Sequence, residues 1–290
     1  MENKLVNFLL LFAFGWLLIS ATVDLDNLFN YADQDIPDYI SHDNTDGNPI
    51  NDRTATLGRV LFYDKNLSSD GTIACASCHI QAHAFGDPNV QSLGVNGLTG
   101  RHSMRLVNPR FGREDHFFWD ERAETLEAQT TQPIQDHTEM GFSGTNGDPN
   151  INDLINHLEG LDYYNTLFEF AFGDMEITEN RMQLAMAQFI RSIQSFDSRF
   201  DEGLMQVNHT GEPFPNFTAQ ENRGKDLFMN TPFTGAGCSD CHIPPEFSIT
   251  LHSQNNGVIG VIGMPGEIDL TVIRAPSLRD LVNPDGNLNT

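Results

Sequence analysis

The sequence predicts a mainly α fold in two parts, and three observations carry this expectation. Apolar residues recur every three or four positions over several long segments, while alternating strand patterns are few. The length of 290 residues suits two domains of roughly 150 residues each. A five-residue cysteine motif occurs once in each half of the chain.

The elements follow in order. Lys4 precedes the apolar run 8–19 (FLLLFAFGWLLI), with Ser20 and Ala21 after it. A short basic start, an apolar stretch and a small-residue exit describe a secretory signal peptide over 1–21. A membrane anchor is the weaker reading, and either one places the folded part outside the cytoplasm. Residues 22–55 are rich in Asp, Asn and Pro and read as a surface lead-in. Residues 56–118 read as Gly-punctuated loops around the first cysteine pair. A helix is expected from about Asp120 (DERAETLEAQ) to just before Pro133, then a loop over 141–151. One or two short helices are expected over 152–172 around Gly160, closed by Gly173. The clearest helix spans 179–202, where Met182, Met186, Phe189, Ile193, Phe196 and Phe200 recur at helical spacing behind Thr178 as N-cap. Its methionines read as core packing. Residues 208–217, with two prolines, read as a linker. Thr218 and Glu221 form a capping box for a helix to about Met229. The expected boundaries are 22–205 and 206–290.

Composition narrows the partners. Sixteen Lys plus Arg against 40 Asp plus Glu leave a formal charge of −24. So acidic a chain cannot neutralise a run of phosphates, which argues against nucleic acid and for a basic protein partner. Four cysteines are too few for a disulfide-dense scaffold.

All four cysteines fall in two copies of C-x-x-C-H: Cys75-Ala-Ser-Cys78-His79 and Cys238-Ser-Asp-Cys241-His242. This is the attachment signature of c-type haem. Two thiols add to the porphyrin vinyl groups, and the adjacent His gives the iron its proximal nitrogen. A zinc site or a redox thiol pair would use the same cysteines. Neither explains a His directly after both pairs.

The segments around the motifs add a resemblance. They are LGRVLFYDKNLSSDGTIACASCH (57–79), FGD and SLGVNGLTGR (85–101), FWDERAETLEAQTTQPI with EMGF (118–142), GKDLF before CSDCH, and RAPSLRDL (274–281). On these the chain resembles the bacterial di-haem cytochrome c peroxidases and the related methylamine-utilisation enzymes that mature a tryptophan cofactor. The resemblance implies two cytochrome c-like domains, each with one covalent haem c held by Cys75, Cys78 and His79 or by Cys238, Cys241 and His242. It implies that His79 and His242 are axial iron ligands. By position, Trp119 matches the tryptophan between the haems, Gln129 the distal glutamine and Glu139 the distal glutamate over the first haem. It implies reduction of hydrogen peroxide to water, with electrons from a small basic cytochrome c or cupredoxin arriving through the second haem. A carboxylate at Glu139 suits the two proton transfers, and an amide at Gln129 can orient the peroxide. Two alternatives stand beside this: a peroxide-dependent oxidase that modifies a partner protein, and a non-enzymatic di-haem electron carrier. The expected location is the periplasm. The oligomeric state stays open, a homodimer included.

Three departures qualify the resemblance. Many of these peroxidases place a distal His about sixteen residues past the proximal one, where this chain has Val95. The first iron is then expected to be open, with activity that needs no prior reduction; His83, His102 and Met104 are the nearby substitutes. The family's G-R-N-x-P reads Gly100-Arg101-His102-Ser103-Met104 here. A calcium ligand is thereby replaced by imidazole, which suits calcium badly, so calcium is the weaker cofactor expectation. The sixth ligand of the second haem lies beyond Thr290 in the family, usually Met and in the maturation enzymes Tyr. The C-terminal domain is therefore expected to be truncated, with Met264 as the local substitute.

Overall fold

The computed structural model describes residues 23–113, 116–248 and 259–282. The expected signal peptide lies outside the described residues. The fold is mainly helical, as the periodicity predicts.

Two capped helices form its centre. The Asn51 side chain accepts from the Thr54 amide and starts α1 (Asp52–Tyr63). The Cys75–Cys78 turn that follows is α2. Further on, Thr125 caps α3 (Leu126–Thr131), and the Asn150–Asp153 capping box opens α4 (Ile151–Glu159). Next, α5 (Asp162–Phe172) ends at Gly173 with φ +90, and Thr178 caps α6 (Glu179–Arg191). Leu57 and Leu61 of α1 meet Met182, Ala185 and Met186 of α6 in one core, which Leu154, Leu158, Tyr164 and Phe168 complete. The helices α1 and α6 approach closely because Gly58 has no side chain. A Cβ there would fall 1.9 Å from the Ala185 carbonyl oxygen.

The α3 helix is fastened to α6 by polar groups at both ends. Glu127 accepts from Arg191 and from Asn48, and Thr131 donates to Glu179 at 2.8 Å. Among the described residues the only strands are β1 (Leu93–Gly94) and β2 (Gly97–Leu98), a two-residue antiparallel hairpin. No helix among the described residues is long and apolar enough to cross a membrane.

Beyond α6, the Ser198–Asp201 capping box opens α7 (Arg199–Leu204), and Thr218–Glu221 opens α8 (Ala219–Met229). Phe200 of α7 packs against Phe214 and Phe247, with ring centroids 5.2 and 4.9 Å away, and Phe228 meets Phe247 at 5.8 Å. Behind these rings Asp201 and Arg279 form a buried bidentate pair at 2.9 Å, to which the Tyr39 hydroxyl donates at 2.7 Å.

Four expectations need correction. The 179–202 helix is two helices. The Asn108 side chain bonds the Ser195 amide and carbonyl at 2.8 and 2.9 Å and holds that stretch extended, and Ser198 starts a new helix. The apolar period runs on because Ile193 still packs on the cluster of Phe189 and Ile190, while Phe196 and Phe200 meet other rings, Phe111 and Phe214. Helix α3 starts at Leu126 rather than near Asp120, because Phe118 and Glu121 are left-handed and residues 117 and 123 form a bridge. The 22–55 lead-in and the 56–118 loops divide within α1, where Gly58 masked the helical pattern and serves the crossing with Ala185. The 208–217 stretch is packed rather than a free linker. Phe214 is 1% exposed, and the Lys225 ammonium donates to the Thr210 and Glu212 carbonyls.

Candidate haem sites and peroxide cavity

The first motif opens onto a cavity of about 500 Å³, within the range of about 300–1,000 Å³ that cofactor sites occupy. Its wall carries Cys75, Cys78, His79, Trp119, Gln129 and Glu139. Residues spread over 65 positions of sequence thus meet in one place, and they are the six expected to serve the first haem and its peroxide.

The fold fixes the tautomer of His79. Its Nδ1 lies 3.0 Å from the Phe85 carbonyl oxygen. A carbonyl only accepts, so Nδ1 carries the proton and Nε2 keeps its lone pair. Burial lowers the imidazole pKa, which favours the neutral, ligating form. Both cysteines are free thiols, and burial pushes Cys75 up to about 12. The second motif repeats the arrangement: His242 Nδ1 lies 3.0 Å from the Pro276 carbonyl, and burial lowers its pKa too. Cys238 and Cys241 are free thiols as well. Two thiols beside an imidazole of fixed tautomer, found twice, fit covalent haem c. The first cysteine pair lines the cavity and the second does not. Among the described residues no cluster of three or more His, Cys, Asp or Glu side chains is disposed to hold a metal ion.

Glu139 is held from its backbone. Asp136 Oδ1 accepts from the Thr138 and Glu139 amides at 2.8 and 2.9 Å. The hairpin grips the other side, with the Val95 amide donating to the Glu139 carbonyl at 3.1 Å and the Asn96 amide to Thr138 at 3.2 Å. Gly94 lies against this backbone, and a Cβ there would fall 2.1 Å from the Thr138 oxygen. Burial, with the Asp136 charge adding to it and Arg122 opposing, pushes the Glu139 carboxyl up to about 7. Such a group both gives and takes a proton near neutral pH. Gln129 sits on α3, whose fastening to α6 fixes it on the cavity wall.

Trp119 joins the two halves of the site. Its Nε1 donates to the His102 carbonyl at 2.8 Å. Its own carbonyl accepts from the Ile273 and Arg274 amides at 3.0 and 3.2 Å. Two residues past Arg274, the Pro276 carbonyl holds His242. Arg105 strengthens the junction: it lines the cavity and donates to the Ser277 carbonyl at 2.7 Å. Arg101 does so as well, meeting Asp120 at 2.8 Å and Asp269 at 3.1 Å.

The remaining candidates separate. His102 and Met104 line the cavity, but His102 Nε2 is bonded to the Asp87 carbonyl at 2.7 Å. His83 is not part of the cavity wall. Met264 lies on an exposed turn over 261–267, 52% accessible. The sequence reading missed Gly94, Arg105 and the carbonyls of Phe85 and Pro276. Only Gly94, in SLGVNG, left a signal, a glycine where the chain passes close to other backbone.

Comparison with known proteins agrees with this geometry. A family model described as di-haem cytochrome c peroxidase matches residues 52–209. The methylamine utilization protein MauG of Methylophilus methylotrophus is 30% identical over 243 residues, covering 81% of this chain and 67% of that protein. The cytochrome c551 peroxidase of Nitrosomonas europaea is 27% identical, covering 80% and 67%. A solved structure of a MauG-like protein associated with microbial copper homeostasis superposes with a TM-score of 0.67 at 28% identity, over 85% of this chain and 75% of that one. Matched over more than half its length by the family model, the chain belongs to the di-haem cytochrome c peroxidase family.

Proposed function

We propose that the protein is an exported di-haem peroxidase that reduces hydrogen peroxide in the Glu139 cavity. Electrons reach it from a small basic cytochrome c or cupredoxin by way of the second motif. The two haem groups, held by Cys75, Cys78 and His79 in the 22–205 domain and by Cys238, Cys241 and His242 in the 206–290 domain, supply the iron redox chemistry. The observation that carries the reading is one cavity wall shared by a prepared His79 and a Glu139 carboxyl with its pKa near 7.

The chain's own part is proton handling, orientation and conduction. Peroxide must lose a proton from one oxygen and gain one on the other before water leaves. Glu139 as carboxylate takes the first, and as carboxylic acid it returns the second. Gln129 offers an amide donor and acceptor that orient the peroxide and stabilise charge as the O–O bond weakens. Trp119 bridges the cavity to the segment that orients His242. The chain's −24 charge steers a basic donor.

The test is stopped-flow peroxide consumption by holoprotein with reduced cytochrome c. Glu139→Gln is expected to cost roughly 10²-fold or more, the scale of a lost acid–base group. An unchanged rate overturns the reading.

A second reading, peroxide-dependent oxidation of a partner protein, is favoured by Val95 in the SLGVNG loop and by the MauG relative. The two readings separate on whether the oxidised holoprotein modifies a protein substrate while no cytochrome is oxidised.

A further inference from the structure

The peroxide reading leaves one set of oxidisable side chains unused. On α5 the adjacent residues Tyr163 and Tyr164 both donate to the same oxygen, Asp64 Oδ2, at 2.6 and 2.9 Å. Neighbours i and i+1 on a helix ordinarily point apart, yet these phenols converge, with ring centroids 4.6 Å apart. Tyr164 is fully buried and Tyr163 is 42% exposed. Asp64 is fixed for the purpose: its other oxygen accepts from the Asn66 amide and side chain at 2.8 and 2.9 Å. The inner ring belongs to the core that contains Ile73, Met140 and Met186. Those three side chains also line the peroxide cavity.

A buried tyrosine that only filled space would need one acceptor of its own. Here an inner and an outer phenol share a single carboxylate, and together they run from the core that backs the cavity to solvent. A phenol gives up an electron at neutral pH when its proton can leave at the same moment, and a hydrogen-bonded carboxylate takes that proton.

We propose that Tyr164, Asp64 and Tyr163 form a proton-coupled electron conduit from the peroxide cavity to the surface, through which the protein oxidises small phenols and hydroquinones at Tyr163. The inference rests on the peroxide reading above, since hydrogen peroxide is the oxidant. Tyr164 passes an electron to the cavity and its proton to Asp64. Tyr163 then restores Tyr164, as Asp64 returns the first proton and accepts the second. The surface reductant gives one electron to Tyr163, which recovers its proton from Asp64, and the reductant's own proton goes to water. Two such passages, with the two protons released, reduce one H₂O₂ to two waters and leave two phenoxyl or semiquinone radicals. The chain's charge of −24 favours neutral or cationic reductants over anionic ones.

The test uses holoprotein, freeze-quenched with peroxide in the absence of any donor and read by EPR. Hydroquinone and ferrocytochrome c oxidation are measured alongside. The parent is expected to show a tyrosyl signal. In Tyr164→Phe that signal is lost. In Tyr163→Phe, a change at the exposed ring, it persists but hydroquinone no longer quenches it. Both variants lose hydroquinone oxidation and keep ferrocytochrome c oxidation. The proposal is overturned if both variants oxidise hydroquinone at the parental rate, or if a parent that consumes peroxide with ferrocytochrome c forms no tyrosyl signal. A parent that consumes no peroxide with either donor overturns the peroxidase reading and the conduit together, and the absence of peroxide loss identifies that case.

Discussion

Gly94 tests whether Glu139 works by position. A Cβ at residue 94 would fall 2.1 Å from the Thr138 carbonyl oxygen and 2.9 Å from Glu139 Cα. Both obstacles are backbone, and ordinary contact begins at 3.4 Å. Gly94→Ala must therefore push the hairpin and residues 138–139 apart by roughly 1 Å. Two costs follow. Overpacking of this kind costs about 1–3 kcal/mol of stability, which a domain with 5–15 kcal/mol survives, so the variant stays folded at about 25 °C. A misplacement of about 1 Å in a reacting group costs roughly 10²-fold in rate. Gly260→Ala is the control, because it lies off the cavity wall and a Cβ there meets only the Glu267 carbonyl oxygen, at an ordinary 3.4 Å. The assay is the initial rate of peroxide-dependent ferrocytochrome c oxidation, with urea midpoints measured on the same samples. Gly94→Ala should lose roughly 10²-fold in kcat and unfold at lower urea, while Gly260→Ala matches the parent in both. A folded Gly94→Ala protein with parental kcat would refute the positioning argument.

The other expectations are briefer. Glu139 has its folded pKa raised from 4.5 to about 7, so the folded state binds the extra proton. The stability this confers is present below about pH 4.5 and lost as pH rises through about 7. Glu139→Gln should therefore remove most of that fall between pH 5 and 8, gaining up to about 3 kcal/mol at pH 8 relative to the parent; identical urea-unfolding pH profiles would contradict it. Asp201→Ala strands the buried Arg279 guanidinium and should cost about 3–5 kcal/mol in urea unfolding, and a loss below about 1 kcal/mol would show that the pair is dispensable. Trp119→Phe keeps an aromatic ring but removes the bond to the His102 carbonyl. It should slow electron transfer between the two haems in flash photolysis without weakening peroxide binding, and an unchanged transfer rate removes Trp119 from the path. Raising ionic strength should lower kcat/KM for a basic cytochrome while kcat holds, and a salt-independent kcat/KM would argue against charge steering.

Much of the helical layout is legible in the chain because helix starts are local events. Thr178, Thr218 and the Gly160–Gly173 interval place α4, α5, α6 and α8 closely. The errors arose where a distant residue overrides a local pattern. Asn108 reaches across to Ser195 and interrupts a stretch whose apolar period runs on. Gly58 lowers the helical character of α1, and its purpose is visible only beside Ala185.

What the sequence by itself determined is the chemistry that spacing can encode. Two thiols and an imidazole must lie within five residues to hold one porphyrin, so C-x-x-C-H is readable without a fold. Trp119, Gln129 and Glu139 became candidates only through the resemblance of the 118–142 segment to the family. The tertiary structure decided which of these groups share a wall and what their protons do. The tautomer of His242 depends on a carbonyl 34 positions away. Arg101 meets Asp269 across 168 positions, and the raised pKa of Glu139 comes from burial that no local window contains. Covalent attachment is fixed by neighbours along the chain, whereas desolvation and hydrogen-bond partners are set by whatever the fold brings alongside.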